Sequence, residues 1–391
     1  MQLCDSLEIC VLNPFFHPYK GGTEKVLLEV YSRLSKRHNV TVITSAPKER
    51  NRPSVEHVSG IKVVRLRTFQ EHVPIFPMPF LFFDGLKKAL AGEGSDIYHI
   101  NNRYQFFEDT VNVVKGMDKK LALTIHNSKP KNIDPLTDDL GHFYDWLWGK
   151  KLMHASDLIT AVSTYTIKST VPRSERHKTH LVFNGVDCRK YRKIKNNGQI
   201  SRISRHFGFD GRTTILTNGR LVAQKGQIYL MKAIKELANE GYLDINLLII
   251  GNGPLKRSLH RAAKRMGLDK RFHVTYGIED DKLPYYYNSC DIFSMPSLYE
   301  PAGLALMEAL ACEMPSVISR TGGMPEIAGD SALYSRPKDY YSIKERLRYA
   351  LENEKETAGM ARIGRRRMIR YHDWDRIAKQ YESLFLSTIR Y

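Results

Sequence analysis

Short runs of valine, isoleucine and leucine recur along the chain and alternate with segments of helical periodicity. Leu7–Leu12, Leu121–Ile125 and Ile245–Ile250 are three of these runs, and Thr23–Lys36 is a segment with one apolar helical face. Nearly continuous apolar runs are typical of strands in a parallel sheet that is covered on both faces. The alternation therefore predicts an α/β fold with doubly wound parallel sheets.

The same alternation occurs in both halves of the chain. A chain of 391 residues is longer than a domain with a single hydrophobic core usually is. We therefore expect two α/β domains. We place them at residues 1–190 and 191–370, and we assign residues 371–391 to a final amphipathic helix that begins at Asp373. The polar, basic stretch Arg189–Arg205 is predicted to link the domains. The predicted strands are Leu7–Leu12, Val40–Thr44, Ile61–Leu66, Ile97–Ile100, Leu121–Ile125, Leu158–Val162, His180–Phe183, Thr214–Asn218, Ile245–Ile250, Phe272–Tyr276, Ile292–Met295 and Ser316–Ser319.

The chain has a large surplus of basic residues, with a formal net charge of +18. Such a surplus attracts anionic partners, which include nucleic acids, acidic membrane surfaces and phosphorylated small molecules. Nucleic acid is not expected, because one basic cluster in the second half lacks interleaved stacking aromatics and the chain has no known binding motif. The residues of this cluster are Lys264, Arg265, Lys270 and Arg271.

The cysteines and the apolar runs indicate the cellular compartment. The five cysteines are scattered without a C-x-x-C pair, which argues against a disulfide framework or a zinc site and suits a reducing compartment. Asp5 and Glu8 precede the first sustained apolar run, so a signal peptide is not expected. No apolar run reaches the length of about 18 residues that a membrane span requires. We expect a cytoplasmic protein, whose basic surface leaves peripheral contact with the anionic cytoplasmic face of the membrane open.

The segment Pro74–Phe83 is strongly apolar and contains three prolines. We interpret it as a loop and the start of a helix that packs on the first sheet. The alternative is a surface that faces a membrane or a lipid acceptor. The sequence favours the first interpretation.

The strongest cluster of candidate site residues follows the predicted strand Ile292–Met295 and opens a new helix. A strand end, a glycine turn and a helix N-terminus together form a binding site for an anion. The N–H groups of Gly303–Ala305 are expected to point at a phosphate. Glu308 leans back toward the start of the helix, where it can reach ribose hydroxyls, and Glu300 stands before the turn and faces whatever is attached to that phosphate.

A second candidate cluster, Gly219–Gly226, comes directly after the predicted strand Thr214–Asn218. Arg220 offers a fork for bidentate phosphate binding, and Lys225 offers a point charge. Both follow the carboxyl end of a strand, where ligands bind in open α/β sheets. Fixed cations at this place stabilise the negative charge that develops on a leaving diphosphate. The alternative is a solvated basic loop.

Three shorter motifs also follow predicted strands. Gly251-Asn252-Gly253 lacks the third glycine of a dinucleotide fingerprint, so we interpret it as a wall of a mononucleotide pocket. Gly21-Gly22 opens the first helix and lets the backbone approach a ligand closely. His126 ends the strand Leu121–Ile125, and a structural and a functional role are about equally supported there.

A D-x-D sequence, Asp373-Trp374-Asp375, is a pattern that holds a divalent metal ion and diphosphate in some enzymes. Here it precedes the final amphipathic helix. Asp373 is therefore expected to cap that helix, and Asp375 to interact favourably with its dipole. We expect no metal site and no cofactor.

Taken in order, these motifs resemble those of the retaining glycosyltransferases of family GT4, which have the GT-B fold. The resemblance extends over nearly the whole chain, and the ordered set is far more specific than any one motif. The motifs are Gly21-Gly22, Asp96-Ile97-Tyr98-His99, Leu123-Thr124-Ile125-His126, Asn184-Gly185-Val186-Asp187, Gly219-Arg220 with Lys225-Gly226, Gly251-Asn252-Gly253-Pro254, Glu300 with Glu308, and Gly322-Gly323-Met324-Pro325-Glu326.

The resemblance implies an architecture. Two Rossmann-like domains would face each other across a deep interdomain cleft, the first binding the acceptor and the second the nucleotide-sugar. The C-terminal helix would cross back onto the first domain. No metal ion would be needed, because helix N–H groups and two cations replace it.

The resemblance also implies roles for single residues. Arg220 and Lys225 would bind the diphosphate, Glu300 would contact the donor hexose and Glu308 the ribose, while His126 would lie near the transferred sugar. The predicted catalytic residues are His126, Glu300, Arg220 and Lys225. The predicted donor-binding residues are Gly21, Gly22, Arg220, Lys225, Gly251, Gly253, Glu300, Ala302, Gly303, Leu304, Ala305 and Glu308.

Three functions are compatible with these observations. The favoured one is a retaining transferase that moves a hexose from a UDP- or GDP-hexose to a hydroxyl of a glycan or glycolipid acceptor. A sugar-nucleotide epimerase on the same fold would need no acceptor. A basic, non-enzymatic binder of RNA or membrane would use neither donor.

Overall fold

The computed structural model describes residues 6–71, 80–104, 107–127, 148–195, 197–209 and 211–390. The chain divides into two compact units. One contains Met1–Asn184 together with Trp374–Tyr391, and the other contains Gly185–Asp373.

The first unit is built on a sheet of eight strands. These are β1 (Glu8–Leu12), β2 (Asn39–Ser45), β3 (Ser54–Val58), β4 (Ile61–Leu66), β7 (Ile97–Asn101), β8 (Lys120–Ile125), β9 (Leu158–Ala161) and β10 (Thr179–Leu181). Their order is β10-β9-β8-β7-β1-β2-β4-β3. All neighbours are parallel except β3 and β4. A separate antiparallel pair consists of β5 (Thr68–Glu71) and β6 (Phe80–Phe83). Among the described residues up to 184, the α-helices are α1 (Gly22–Leu34), α2 (Leu86–Glu93), α3 (Phe107–Gly116), α4 (Lys150–Ala155) and α5 (Thr164–Thr170).

The second unit is built on a fully parallel sheet of six strands. These are β11 (Thr213–Asn218), β12 (Ile245–Ile250), β13 (Phe272–Thr275), β14 (Ile292–Met295), β15 (Ser316–Ser319) and β16 (Leu333–Ser335). Their order is β13-β12-β11-β14-β15-β16. The helices are α6 (Gly198–Phe207), α7 (Gln227–Asn239), α8 (Lys256–Arg265), α9 (Leu283–Asn288), α10 (Leu304–Ala311), α11 (Met324–Ala328), α12 (Tyr340–Glu352) and α13 (Glu354–Tyr371).

Strand β12 shows why the apolar runs are continuous. All six of its residues are buried. Leu248 and Ile250 belong to one apolar cluster, whereas Leu247 and Ile249 belong to another. Successive side chains of a strand point to opposite faces of the sheet, so each face must be apolar when helices cover both. The predicted α/β architecture of two domains with parallel sheets is confirmed.

The final helix, α14 (Trp374–Arg390), belongs to the first unit. Ile377, Tyr381 and Phe385 are buried on one side of it. At its first turn, Asp375 accepts a hydrogen bond of 2.6 Å from the Arg33 guanidinium of α1. The amphipathic helix that returns to the first domain is therefore confirmed.

The predicted linker Arg189–Arg205 was partly wrong, because α6 forms over its second half and extends to Phe207. The Asn197 side chain caps α6 by accepting a 2.8 Å hydrogen bond from the N–H of Gln199. Ile203 and Phe207 pack against the core of the second unit. Ile200, Ile203 and Phe207 recur at helical spacing, so the sequence of this stretch carried a usable signal for the helix.

The segment Pro74–Phe83 differs from the prediction where it can be described. Residues 74–79 lie outside the described part of the chain, and the remainder is β6 rather than the start of a helix. Leu81 is buried and Phe82 is exposed, as expected for a strand with one covered face.

Two features bear on membrane and redox chemistry. Within the described ranges, no helix is long and apolar enough to span a bilayer. Cys10, Cys188, Cys290 and Cys312 are buried free thiols, while Cys4 lies outside the described residues.

Candidate active site

The predicted site residues of the second unit lie at a topological switch point. Strand β11 pairs with β12 on one side and with β14 on the other. The loops that follow β11 and β14, at residues 219–226 and 296–303, leave the sheet from its carboxyl edge. In open α/β sheets, ligands bind outside this edge where the strand order reverses. Arg220, Lys225 and Glu300 all lie in these two loops.

Hydrogen bonds and one close backbone approach hold the two loops together. The N–H of Leu298 donates to the carbonyl of Gln224 at 2.8 Å, and the Gln224 side-chain amide donates to the carbonyl of Tyr299 at 3.0 Å. A Cβ atom at Gly226 would lie only 2.2 Å from the carbonyl oxygen of Pro296. The positions of Lys225 and Glu300 therefore depend on a single packed arrangement of both loops.

Lys225 and Glu300 form an ion pair through Nζ and Oε2. Their side chains are 16% and 9% exposed. The other carboxylate oxygen, Oε1, accepts a hydrogen bond from the N–H of Gly303 at 3.3 Å, and the Ser297 hydroxyl lies 3.5 Å from Oε2. A carboxylate this deeply buried requires such partners. The N–H of Gly303 thus donates to Glu300 in this structure, and its contact with a phosphate stays a prediction.

The helix that starts after this turn presents further donors. Gly303 is its N-cap, and Leu304 and Ala305 form its first turn. N–H groups in a first turn have no partner within their own helix. They carry part of the positive end of the helix dipole, which favours a bound anion. Ala302 lies in the same turn and is half-buried.

Glu308 is buried one turn further along α10 and has a partner that the sequence analysis missed. The hydroxyl of Tyr287 donates a 2.7 Å hydrogen bond to Glu308 Oε2, and Asn218 Nδ2 donates to the same hydroxyl oxygen at 2.9 Å. Burial and the nearby Glu308 carboxylate raise the pKa of Tyr287 well above its ordinary value. Asn218 is the last residue of β11, so its position at a carboxyl edge was a usable signal. Tyr287 has no comparable signal.

The other two predicted elements of the second unit occupy neighbouring turns. The N–H of Leu221 donates to the carbonyl of Asn252 at 2.9 Å, which joins the Arg220 loop to the turn that contains Gly251 and Gly253. A Cβ at Gly251 would lie 2.0 Å from the carbonyl oxygen of Gly219. This glycine therefore permits the loops to pack. Arg220 itself is exposed.

The predicted residues of the first unit lie at the carboxyl edge of its own sheet. His126 follows β8 and is buried, with its ring Nε2 3.1 Å from Asn101 Oδ1. Its backbone N–H donates to Asn102 Oδ1 at 3.0 Å. Burial lowers the pKa of His126 to about 4, so its ring is neutral near pH 7. Gly21 and Gly22 lie at the start of α1.

A second buried histidine, His99 of β7, was quoted in a motif but was not predicted to belong to the site. Its Nδ1 contacts the hydroxyl of Tyr31, and its Nε2 lies 2.7 Å from Thr124 Oγ1. Tyr381 of α14 approaches the same threonine at 3.3 Å. Burial and the proximity of His126 lower the pKa of His99 to about 3. These contacts join the sheet to the final helix.

The D-x-D sequence does not form part of a metal cluster in the described residues. Asp375 forms an ion pair with Arg33 at 2.6 Å. Across the described part of the chain, no group of three or more His, Cys, Asp or Glu side chains is arranged to hold a metal ion.

Comparison with known families identifies the family to which the chain belongs. Residues 20–190 match the family model described as Glycosyltransferase Family 4, and residues 199–367 match the one described as Glycosyl transferases group 1. The chain belongs to the group 1 glycosyltransferases of family 4. Spore coat protein SA of Bacillus subtilis is 25% identical to this glycosyltransferase over 389 residues, covering 94% of this chain and 95% of that protein.

A second relative of this glycosyltransferase has a more informative name. It is the GDP-mannose-dependent alpha-(1-6)-phosphatidylinositol monomannoside mannosyltransferase of Mycolicibacterium smegmatis, which is 27% identical over 337 residues. The match covers 81% of each chain.

Solved structures show that this glycosyltransferase has the GT-B fold. Anabaena HepE, crystallised with UDP and glucose, superposes with a TM-score of 0.76 at 18% identity, covering 97% of this chain and 100% of that chain. Sucrose-phosphate synthase from Thermosynechococcus elongatus superposes with a TM-score of 0.75, also at 18% identity, with 97% and 98% covered.

Proposed function

We propose that the protein transfers a hexose from a UDP- or GDP-hexose to a hydroxyl of a glycan or lipid-linked acceptor, with retention of the anomeric configuration. The second domain would bind the donor, and the first domain would bind the acceptor. The observation that carries the proposal is the buried Lys225–Glu300 ion pair, held between two loops at the switch point and beside the first turn of α10.

Similar proteins support a nucleotide-sugar donor. The name of the mycobacterial relative specifies GDP-mannose, and HepE was crystallised with UDP and glucose. These two bases differ while the diphosphate is common to both. The site likewise offers its strongest groups to a diphosphate, because a cation and helix N–H groups bind phosphate oxygens whatever the base.

The proposed reaction exchanges one bond at the anomeric carbon for another. The bond from this carbon to the phosphate oxygen breaks, and a bond to the acceptor oxygen forms on the same face of the ring. The acceptor proton passes to the departing phosphate. Arg220, Lys225 and the N–H groups of Leu304 and Ala305 would stabilise the negative charge on that phosphate without a metal ion.

Three other residues would position the donor. Glu300 would orient Lys225 and contact the hexose, and Glu308 would accept a hydrogen bond from the ribose. His126, neutral near pH 7, would offer a hydrogen bond to the transferred sugar. Glu300 is not assigned as a nucleophile, since its carboxylate already contacts Lys225 and Gly303.

The direct test is turnover of labelled UDP- and GDP-hexoses, with and without a crude glycan or lipid extract, in buffer that contains EDTA. We expect acceptor-dependent release of nucleoside diphosphate and a product with the anomeric configuration of the donor, read by NMR. Isomerised donor without release would instead indicate an epimerase. Binding of RNA or anionic vesicles with neither donor bound would indicate a non-enzymatic protein.

A further inference from the structure

One face of α13 combines exposed arginines with exposed isoleucines. Arg362, Arg366 and Arg370 are exposed and recur every four residues, so they form one row along the helix. Ile363 and Ile369 flank this row and are 44% and 51% exposed. We name these five residues the Arg–Ile stripe. Thr357, Ala361, Gly364 and Met368 are buried on the opposite side of the helix.

Two other arginines of α13 lie outside the stripe and form hydrogen bonds within the second unit. Arg365 donates to the carbonyls of Ala311 and Cys188, at 2.7 Å each, and Arg367 donates to the carbonyls of Ile327 and Glu326, also at 2.7 Å. These two arginines therefore attach α13 to the rest of the second unit.

By contrast, none of the stripe's guanidinium groups forms an ion pair with any residue that the structure describes. The sequence between Glu356 and Asp373 contains no acidic residue that could neutralise them. Arg370 lies 5.3 Å from the ring centre of Tyr371, which is itself 42% exposed. The stripe is thus a local surplus of positive charge with apolar and aromatic groups at the same surface.

We propose that the Arg–Ile stripe is a docking surface for a lipid bilayer that contains anionic headgroups. Arginines near such a surface are attracted to it, by about 1 kcal/mol each. Exposed isoleucines gain free energy when they enter the boundary between headgroups and acyl chains, and aromatic residues favour the same depth.

The apolar half of the stripe favours lipid over nucleic acid. Proteins that bind single-stranded nucleic acid place stacking aromatics among their basic residues. Here aliphatic isoleucines flank the row of arginines on both sides, and the exposed ring of Tyr371 lies only at the end of the row, beside Arg370. The inference does not depend on the proposed reaction, because it concerns one face of a helix in the second unit.

The test is sedimentation of the full-length protein with vesicles of phosphatidylcholine alone, or of phosphatidylcholine and phosphatidylglycerol in equal parts. The first variant is Arg362→Ser with Arg366→Ser and Arg370→Ser. A matched control removes the same charge from the exposed face of α8, through Arg257→Ser, Arg261→Ser and Lys264→Ser.

The wild type is expected to bind only the anionic vesicles. Because each arginine contributes about 1 kcal/mol, the α13 variant should bind on the order of a hundredfold more weakly, and the α8 control should stay within about tenfold of the wild type. A double variant with Ile363→Ser and Ile369→Ser should still bind anionic vesicles at low salt. It should lose the vesicle binding that the wild type retains at high salt. Thermal unfolding of each variant verifies its fold.

Several results would overturn the proposal. Unchanged vesicle binding by the folded α13 variant would do so, and so would equal loss in both triple variants, which would assign binding to net charge alone. Loss of oligonucleotide binding with vesicle binding intact would assign the stripe to nucleic acid. Donor turnover in vesicle-free solution is measured in parallel, so that failure of the proposed reaction is seen separately.

Discussion

The two charged side chains Lys225 and Glu300 are mostly buried and neutralise each other. Removing water from a pair of charges is unfavourable, so such pairs persist where the charges have a use or many partners. Glu300 has a second partner in the N–H of Gly303. At the scale of single residues, the site is therefore a lysine whose ammonium group is fixed beside a helix N-terminus.

Substitution of either partner should reduce turnover much more than it reduces folding. We expect Lys225→Ala and Glu300→Gln each to lower kcat by a factor on the order of 100 to 1000. The first variant lacks the cation near the leaving group, and the second lacks the carboxylate that would orient this cation and contact the hexose. Steady-state kinetics measure this loss, and circular dichroism verifies folding. Lys264→Ala, on the exposed face of α8, is the control and should retain activity. Full turnover by either site variant would remove it from the mechanism.

A glycine substitution can test the packing of the two loops. Gly226 and Gly208 have almost the same left-handed backbone, with φ of 66° and 67°. A Cβ at Gly208 meets no atom within 4 Å, whereas one at Gly226 would lie 2.2 Å from the carbonyl oxygen of Pro296. Each alanine variant should lose about 1 to 2 kcal/mol through backbone strain.

Gly226→Ala should lose more than this, since its clash is with backbone that cannot rotate away. Urea unfolding compares the two free energies, and donor titration compares the two affinities. Equal stability and equal donor affinity in Gly226→Ala and Gly208→Ala would mean that the close packing of the two loops contributes neither to folding nor to donor binding.

At the scale of elements, the sequence predicted the buried strands well, but of the edge strands of the two large sheets it predicted β10 and β13 and missed β3 and β16. β12 was predicted with its observed bounds because helices cover both of its faces and five of its six residues are apolar. β3 was not predicted, because it is an edge strand whose residues are mostly exposed and polar. Edge strands of this kind carry little hydrophobic pattern.

The residues and contacts of the candidate site also differ in whether the sequence can predict them. Arg220, Lys225 and Glu300 could be proposed from the sequence because they directly follow strands, and parallel strands end at one edge. The contact of Tyr287 with Glu308 joins α9 to α10 and depends on how these helices pack, which no local pattern records. The hydrogen bond that Gly303 donates to Glu300 likewise depends on the exact path of one turn.

The first turn of α14 gives a prediction about metal chemistry. Asp375 forms an ion pair with Arg33 and is about half exposed, so the pair should contribute less than about 1 kcal/mol. We expect Asp375→Ala to lower the melting temperature slightly and to leave turnover in EDTA unchanged. Activity that requires Mn²⁺ in the wild type and disappears in the variant would restore the metal interpretation of the D-x-D sequence.

At the scale of the whole molecule, buried histidines should make stability depend on pH. Burial lowers the pKa of His126 to about 4 and that of His99 to about 3, from an ordinary value of 6.5. Below pH 6.5 the unfolded chain therefore binds more protons than the folded protein, and stability falls as the pH falls toward 4. His126 alone should account for about 3 kcal/mol across this range.

Urea unfolding at pH 7, 6, 5 and 4 measures this dependence. His126→Asn should make the dependence less steep, with the part due to His99 remaining, whereas His177→Gln, at an exposed position, should not. The same slope in the wild type and in His126→Asn would show that His126 is not buried in its neutral form.

The central claim concerns where a diphosphate binds in a molecule with a net charge of +18, which offers many other places for an anion. A crystal structure with UDP or GDP bound, grown with EDTA, tests it most directly. The account predicts β-phosphate oxygens within hydrogen-bonding distance of Lys225 and of the N–H groups of Leu304 and Ala305. A diphosphate bound away from the loops after β11 and β14 would contradict it.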